Sequence, residues 1–478
     1  MHREYMKWSL MSAPVGSGSN REAKKGRVMT ESCSNRAFWR RLIVVLSTAV
    51  LMACCTNMSH GAAFTISSNV PGGVYRTGQS VDWKIVFHGH GAPPRAAFKV
   101  LRNDWTVVSH GPLVFHHDVS AVGATFTAPG SLLLVVTGGA RHHAFRELAG
   151  AVADPRKIRP AAECPKKFWP FWKKQIARLE RIPVNIQLKG ESSDVPGVKY
   201  WHIHMNNIKG SLIRGQLARP AKGKTFPAVL ILQWAGVYPL DKSWVTHYAK
   251  SGWLALNISA HDLPIARPAG FYEKISAGPL NDYPAIGNTH PDTSYFLRMY
   301  LSCYRALQYL HHSKYWNGKT LLVIGSSQGG LQTLMLAGLH PAGISAAIVQ
   351  APAGCNMLAP LDGCKPSWPY WFNQVQGKNP RQVRQTSRYY DVANFVTRIR
   401  CPVLASVGLI DETCPPPDVL AALNEIKSPV EMVILPHAEH PGHQRNPEVW
   451  QPFAKFSQQW QHALLRSKPL PLRPGLRN

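Results

Sequence analysis

The sequence predicts an α/β fold, a mostly parallel sheet with flanking helices, preceded by a small β-sandwich of the immunoglobulin-like kind. From residue 165 onward, apolar runs of strand length alternate with stretches of helical spacing, as in sheets built from strand–helix units. Before residue 150, short β-type segments are separated by turns that contain Gly and Pro, which is typical of a sandwich. A chain of 478 residues with 45% hydrophobic and 17% charged residues is long enough for two globular domains.

Residues 1–63 are predicted to be a leader that carries an export signal. A basic pair at residues 40–41 precedes an apolar run at 42–53, which is too short to span a bilayer and is typical of a secretory signal. Two forms of processing remain open. Cleavage before Phe64 would release the mature chain, whereas the sequence L-M-A-C resembles a lipoprotein box that would place a membrane anchor on Cys54. Both alternatives predict a secreted or periplasmic protein.

The mature chain divides into four predicted parts. Residues 64–150 form the β-sandwich, and residues 151–164, rich in Ala, Pro and charged side chains, form a linker. Residues 165–467 form the α/β domain, and the Pro- and Arg-rich residues 468–478 form a mobile tail. For the sandwich we expect a packing or spacer role, with sugar binding as the alternative.

The chain is strongly basic, with 54 Lys and Arg against 26 Asp and Glu and a net charge of +28. These charges are spread along the sequence, and no basic run exceeds pairs such as Lys166 and Lys167. Proteins that bind nucleic acids concentrate their positive charge in a patch or stripe. We therefore expect no nucleic-acid partner, and attraction to acidic glycans is the weaker alternative to a generally basic exported protein.

Six of the nine cysteines follow the leader. An even number in an oxidising compartment permits disulfides, and Cys355 and Cys364, which flank a short loop with Pro and Gly, are the best pair. Neither the cysteines nor histidine pairs such as His142 and His143 have the spacing of a metal site. The sequence therefore predicts no metal and no cofactor.

The motif G-S-S-Q-G-G at residues 325–330 is the most informative local pattern. It follows an apolar run at 321–324 and precedes a stretch of helical spacing from Leu331 to Leu339. Strand, G-x-S-x-G and helix form the nucleophile elbow of an α/β-hydrolase, in which the serine, here Ser327, stands clear of the sheet. The alternative is an ordinary Gly/Ser turn. In an elbow, Gly325 and Gly329 have to be small because strand and helix pass too close for side chains.

An elbow serine needs a base and an orienting carboxylate, which follow it in this fold in the order acid, then histidine. Asp411 lies just past the apolar run 402–408, at the strand end where open α/β sheets place their chemistry, and Glu412 is the neighbouring candidate.

Three histidines at intervals of three follow the next predicted strand, at 437, 440 and 443. A metal cluster would require helical geometry, but nearby Pro and Gly indicate a loop. We predict that His440, at the apex of that loop, is the general base, with His437 and His443 as the alternatives.

The oxyanion of an acyl transfer needs two donors. One is the backbone N–H of Gln328, the residue after the nucleophile. The other is expected in the loop after an earlier strand, at 228–232, where Gly236 permits a turn that directs the Val237 N–H inward. An ordinary loop without that role is the alternative.

These motifs together resemble the acetyl xylan esterase / cephalosporin C deacetylase family of carbohydrate esterases, over roughly residues 165–465. The similarity lies in the elbow with its Gln328, the acid segment G-L-I-D-E-T-C-P-P at 408–416, the His segment at 436–440 and an F-W…L…P entry at 171–183. The resemblance implies that Ser327, Asp411 and His440 are the triad, and that Val237 and Gln328 supply the oxyanion hole. It also implies a homo-oligomer, since members of the family often form hexamers.

One departure from the family concerns the oxyanion loop. The family pattern G-Y-N-G-G reads G-V-Y-P-L at residues 236–240. A backbone donor survives this change, but an aromatic wall for the acyl pocket is then either lost or supplied by Trp234 or Tyr238.

The predicted function is a secreted or periplasmic serine carboxylesterase that removes acetyl groups from a polysaccharide or an acetylated sugar through an acyl-enzyme. A prolyl-oligopeptidase-type peptidase shares the G-x-S-x-G-G elbow but carries a much longer N-terminal domain. A non-catalytic carbohydrate-binding protein with a degenerate hydrolase domain is the third alternative, and the complete, correctly ordered set of candidates stands against it. Residues 262–292, rich in Pro, Gly and aromatic side chains, are expected to cover the site and set substrate size.

Overall fold

The computed structural model describes residues 64–139, 144–443 and 446–473. The predicted export signal and Cys54 lie outside the described residues. In the part of the chain that is described, no helix is both long enough and apolar enough to cross a membrane.

Residues 64–139 and 144–153 form eight strands: β1 (Phe64–Ser68), β2 (Val74–Tyr75), β3 (Ser80–Phe87), β4 (Ala96–Arg102), β5 (Thr106–Pro112), β6 (Val119–Thr125), β7 (Gly130–Gly138) and β8 (Phe145–Ala153). One sheet has the order β1-β3-β6 and the other β2-β8-β7-β4-β5. All these pairs are antiparallel except β2 with β8.

The two small sheets enclose one apolar core. On β3, Trp83 and Ile85 are buried whereas Lys84 between them is exposed, which is the alternation of a strand with one face inward. On β7, Leu134 and Val136 approach the same core from the other sheet. This confirms the predicted β-sandwich.

The last strand of the sandwich extends beyond the predicted boundary at residue 150. β8 stays paired with β7 through Ala153. The linker that follows is packed against the larger domain, where Asn424 Nδ2 donates to the carbonyl oxygens of Pro155 at 2.8 Å and Ile158 at 2.9 Å.

The larger domain is built on strands β9 (Gln187–Glu191), β10 (Val198–Asn206), β11 (Leu212–Pro220), β12 (Phe226–Leu232), β13 (Leu254–Ile258), β14 (Trp316–Ser326), β15 (Ala346–Gln350), β16 (Val403–Gly408) and β17 (Val430–Leu435). They form one sheet with the order β17-β16-β15-β14-β12-β13-β11-β10-β9. The six strands β12 to β17 are parallel, and β9, β10 and β11 form an antiparallel edge.

Helices cover both faces of this sheet: α1 (Phe168–Glu180), α2 (Ser243–Lys250), α3 (Ala269–Ala277), α4 (Tyr295–His311), α5 (Gln328–Leu339), α6 (Pro380–Ser387), α7 (Val392–Phe395), α8 (Pro416–Leu423) and α9 (Gln451–Leu465). On β12, Leu230 belongs to the core under α1, α4 and α5, and Val229 to the core under α2 and α9. A sheet buried on both faces explains why its strands are almost continuously apolar. The α/β class is as predicted.

Residues 468–473 of the predicted tail lie against the larger domain. Leu470 and Leu472 pack on the core under α9, and the backbone N–H of Arg473 donates to the buried Glu431 at 3.2 Å. This part of the chain therefore differs from the expected mobile tail, and the rest of the tail lies outside the described residues.

Candidate active site

Ser327 lies in the sharp turn between β14 and α5. Its φ of 54° and ψ of −118° are strained values for a residue with a side chain. A Cβ at Gly325 would lie 2.2 Å from the carbonyl oxygen of Gly329, and one at Gly329 would lie 2.3 Å from that of Leu232. Strand and helix thus approach as closely as predicted, and only glycine fits at the two positions.

His440 joins the serine to the acid. Its Nε2 lies 2.9 Å from Ser327 Oγ, and its Nδ1 lies 2.8 Å from Asp411 Oδ2. All three side chains are buried. Ser327 follows β14, Asp411 follows β16 and His440 follows β17, so the carboxyl ends of three parallel strands bring together residues that are far apart in sequence.

The Asp411 carboxylate is held by its own loop. Its Oδ1 accepts hydrogen bonds from the backbone N–H groups of Thr413 at 2.9 Å and Cys414 at 2.8 Å. These two bonds fix the orientation of the buried side chain and leave Oδ2 for the imidazole.

The alternative acid and bases lie elsewhere. Glu412 is paired with Arg146 at 2.6 Å and with Lys365 at 3.1 Å. Although burial raises the pKa of Glu412, these cations outweigh it and hold the pKa below its ordinary value. His437 and His443 are exposed, and the His443 ring centre is 5.7 Å from that of His440.

Asp411, Cys414 and His440 place potential metal-ligand atoms within 4.8 Å of one another. Both ring nitrogens of His440 are already used, one by Ser327 and one by Asp411. Burial raises the pKa of Cys414 well above its ordinary value, so the thiol stays protonated, whereas metal binding needs a thiolate. The arrangement fits a proton relay better than a metal site.

The predicted oxyanion loop is anchored on both sides of Gly236. This glycine has a φ of 117°; its N–H donates to the Tyr283 hydroxyl at 3.4 Å, and its carbonyl oxygen lies 3.0 Å from His261 Nε2. The carbonyl of Gly236 and the N–H of Val237 belong to one trans peptide and point in opposite directions. By holding the carbonyl, His261 fixes the direction of the Val237 N–H.

His261 is a neutral hydrogen-bond bridge. Burial, together with the nearby Arg298, lowers its pKa to about 4, despite the opposing effect of the Gly236 carbonyl. A carbonyl only accepts, so Nε2 carries the proton, and Nδ1 accepts from the Tyr295 hydroxyl at 2.8 Å. Arg298 donates to that hydroxyl at 3.2 Å.

The Gln328 side chain ties the elbow helix to the same loop. Its Oε1 accepts from the Tyr283 hydroxyl, and its Nε2 donates to the carbonyl oxygens of Gln233 at 3.3 Å and Trp234 at 3.4 Å. His261 was not singled out from the sequence. Tyr283 belongs to the aromatic-rich segment expected to cover the site, and it does contact the elbow; His261 has no local signal.

The two aromatic candidates for the acyl-pocket wall pack on each other. The rings of Trp234 and Tyr238 are stacked with their centres 5.1 Å apart, and Trp244 lies against both. Trp234 and Tyr238, in the loop that follows β12, therefore form one aromatic cluster with Trp244.

The predicted disulfide between Cys355 and Cys364 is wrong. All six cysteines that the structure describes are free thiols. Cys355 Sγ contacts the carbonyl oxygen of Pro352 at 3.6 Å, and Cys364 Sγ that of Asp362 at 4.0 Å. Each thiol is directed towards the backbone of its own segment, so the two cysteines form no disulfide although they are close in sequence.

A serine in a strand–turn–helix elbow, hydrogen-bonded to a histidine and an aspartate from later strands, defines an α/β-hydrolase. Residues 151–457, well over half of the chain, match the family described as acetyl xylan esterase (AXE1). The chain belongs to this family and is a carbohydrate esterase.

The chain is 29% identical to the acetyl esterase Axe7A of Xylanibacter ruminicola over 376 residues, which cover 77% of this chain and 84% of that protein. The residues from 151 onward are too few for that coverage, so the similarity includes part of the β-sandwich.

Two solved structures share the fold of the larger domain. They are an acetyl xylan esterase from Paenibacillus sp. R4 (23% identity, TM-score 0.52, covering 63% of this chain and 98% of that one) and acetyl xylan esterase 1 from Thermoanaerobacterium sp. (20%, 0.50, 63% and 96%).

Proposed function

We propose that this carbohydrate esterase removes acetyl groups from a polysaccharide or an acetylated sugar through an acyl-enzyme on Ser327. The main support is the relay formed by three side chains. His440 Nε2 lies 2.9 Å from Ser327 Oγ, and His440 Nδ1 lies 2.8 Å from Asp411 Oδ2. A serine hydroxyl is a weak nucleophile until a neighbouring base accepts its proton. The relay provides that base and the carboxylate that orients it.

In the proposed reaction, His440 Nε2 accepts the proton of Ser327 as Oγ attacks the acetyl carbonyl carbon. The resulting imidazolium, stabilised by Asp411, then gives the proton to the departing sugar oxygen. A water molecule, deprotonated by the same nitrogen, then attacks the acetyl-enzyme. The imidazolium returns the proton to Ser327 Oγ as its bond to the acyl carbon breaks and acetate leaves.

The negative oxygen of the tetrahedral intermediate is proposed to bind the N–H groups of Gln328 and Val237. Each such donor contributes about 3–4 kcal/mol to lowering the barrier, provided that its direction is fixed before the reaction. The bonds from His261 and Tyr283 to Gly236, and from Gln328 to residues 233–234, support this proposal because they fix the loop in advance.

The substrate is tested by measuring acetate release from acetylated xylan and from an acetylated monosaccharide, alongside cleavage of a proline-containing peptide amide. Acetate release without amide cleavage is expected. Cleavage of the amide in the absence of acetate release would favour a peptidase, and no turnover of any of the three would favour a carbohydrate-binding role.

We further propose that the protein is secreted or periplasmic. The support is the basic pair at 40–41 followed by the short apolar run at 42–53. Fractionation of the producing cell, with the mass of the mature N-terminus, decides between cleavage before Phe64 and lipidation of Cys54. Recovery of unprocessed protein in the cytoplasm would contradict export.

A homo-oligomer is also proposed, on the resemblance to a family whose members often form hexamers. Light scattering on the purified mature protein tests it, and a mass equal to that of one chain at all concentrations would overturn it.

A further inference from the structure

The outer face of the five-stranded sheet covers the loop that carries Asp411. Side chains on β7 and β8 alternate between two faces, one of which builds the core of the sandwich. On the other face, Leu133 lies opposite Gly150 and Val135 opposite Leu148. Leu133, Val135 and Leu148 form a separate apolar cluster with Ile410, the residue that immediately precedes the acid.

Backbone also meets backbone at this contact. A Cβ at Gly150 would lie 2.1 Å from the carbonyl oxygen of Leu409, far inside any normal contact, and Leu409 is buried. Gly150 therefore lets β8 lie directly against the backbone that leads into Asp411.

The residue that follows the acid is held by the same strand. The Arg146 guanidinium makes two hydrogen bonds, of 2.6 and 2.9 Å, to the Glu412 carboxylate. The backbone N–H of Lys365, whose side chain also pairs with Glu412, donates to the carbonyl oxygen of Asn103 at 3.0 Å, beyond the end of β4. Both flanks of Asp411 are thus fixed by the β-sandwich.

We propose that the β-sandwich is a positioning element of the active site, which holds the 409–412 backbone so that Asp411 Oδ2 stays within reach of His440 Nδ1. This inference rests on the role proposed above for Asp411. The bond between the two side chains is 2.8 Å long. A displacement of about 1 Å would break it, and a misplacement of that size in an active site can cost about 10²-fold in rate. The small domain is then more than a spacer, because the acid loop depends on it.

The proposal is tested in the full-length protein with Gly150→Ala, which places a methyl group against the Leu409 carbonyl. We expect kcat to fall roughly 10- to 100-fold with KM within about twofold. Gly111→Ala is the matched control, because it adds the same methyl group to the same sheet on β5, where the nearest atom, on Phe98, would be 3.4 Å away. The control is expected to keep the wild-type kcat.

A double-mutant cycle separates positioning from general damage. If Gly150→Ala acts through the acid, it costs little further activity in an Asp411→Asn background. An equal loss in both backgrounds, or a folded Gly150→Ala variant with wild-type kcat, overturns the inference. Full activity of Asp411→Asn alone would instead show that the proposed triad is wrong.

Arg146→Gln gives a second route if Gly150→Ala does not fold. The Arg146 side chain is 45% exposed, so its replacement leaves the core intact. Arg146→Gln is expected to lower kcat less than Gly150→Ala does, by about twofold to fivefold. This loss should also be absent in the Asp411→Asn background. Equal kcat for Arg146→Gln and wild type, or equal losses in the two backgrounds, counts against the proposal.

Discussion

His261 Nε2 lies 3.0 Å from the carbonyl oxygen of Gly236, and through that carbonyl it fixes the opposite N–H of Val237. Few side chains could replace it, because the position needs a neutral donor with no exposure to water. The low pKa of His261, about 4, keeps the ring neutral at the pH values at which esterases work. Through this contact a residue outside the Ser327–His440–Asp411 relay orients the proposed oxyanion donor.

We expect His261→Phe to lower kcat about 10- to 100-fold with little change in KM. Loss of the bridge lets the Val237 N–H turn away from the oxyanion, and removal of one such donor altogether costs about 10²–10³-fold. Steady-state kinetics of acetate release measures both constants. His261→Gln, which keeps a donor, is the matched control and should recover part of the rate; equal losses in the two variants would argue against the bridge.

His261 should also make the free energy of unfolding decrease below pH 6.5. His261 has a folded pKa of about 4 against 6.5 for the free side chain, so only the unfolded chain binds a proton between these values. The contribution of the neutral His261 ring to the free energy of unfolding is about 3 kcal/mol. It is fully present above pH 6.5 and is lost as the pH falls to 4. Urea unfolding at pH 7 and pH 4.5 should therefore show a smaller pH effect in His261→Gln than in the wild type. A pH effect of the same size in both proteins would contradict the assignment.

Substitution of Asp411 should lower kcat far more than substitution of Glu412. Asp411→Asn removes the carboxylate that orients the base, and we expect a loss of about 10⁴-fold. Glu412→Gln weakens a partly exposed ion pair worth up to about 1 kcal/mol, so a loss below about tenfold is expected. The two substitutions remove the same charge at neighbouring positions, so each is the control for the other. A larger loss for Glu412→Gln would reassign the orienting acid.

Thiol titration distinguishes free cysteines from a disulfide. Of the six cysteines described, only Cys164 is exposed, and burial raises the pKa of Cys355 well above its ordinary value. We expect one of these six thiols to react in the native mature protein and all six after denaturation without reductant. If Cys355 and Cys364 alone stay unreactive in the denatured protein, the disulfide between them is restored.

The arrangement of Ser327, His440 and Asp411 could be predicted because each of these residues is part of a local pattern. Ser327 lies between a strand and a helix, and Asp411 and His440 each follow an apolar run in the order that the fold requires. Local patterns did not reveal His261, and for Tyr283 they indicated only that its aromatic-rich segment covers the site. Both residues reach Gly236 through the folding of the chain. Their contacts join residues that are far apart in the sequence.

The sandwich was predicted as a domain, but its contact with the acid loop was not. β8 reads F-R-E-L-A-G-A-V-A, and its alanines and glycine give it little strand propensity. At position 150 the glycine is needed because a Cβ there would meet the Leu409 backbone. The sequence of β7 gives one indication of this contact, because its run L-L-L-V-V is apolar without alternation. A strand of that kind is covered on both faces, here by its own core and by Ile410.

Comparison of Ser327→Ala with Ser326→Ala shows which of the two elbow serines is the nucleophile. The Ser326 hydroxyl is buried without a hydrogen-bond partner among the described residues, so its loss should leave acetate release from acetylated xylan within a few-fold of wild type. Ser327→Ala should reduce that release by at least about a thousandfold while the protein stays folded. Wild-type acetate release by Ser327→Ala would show that Ser327 is not the nucleophile.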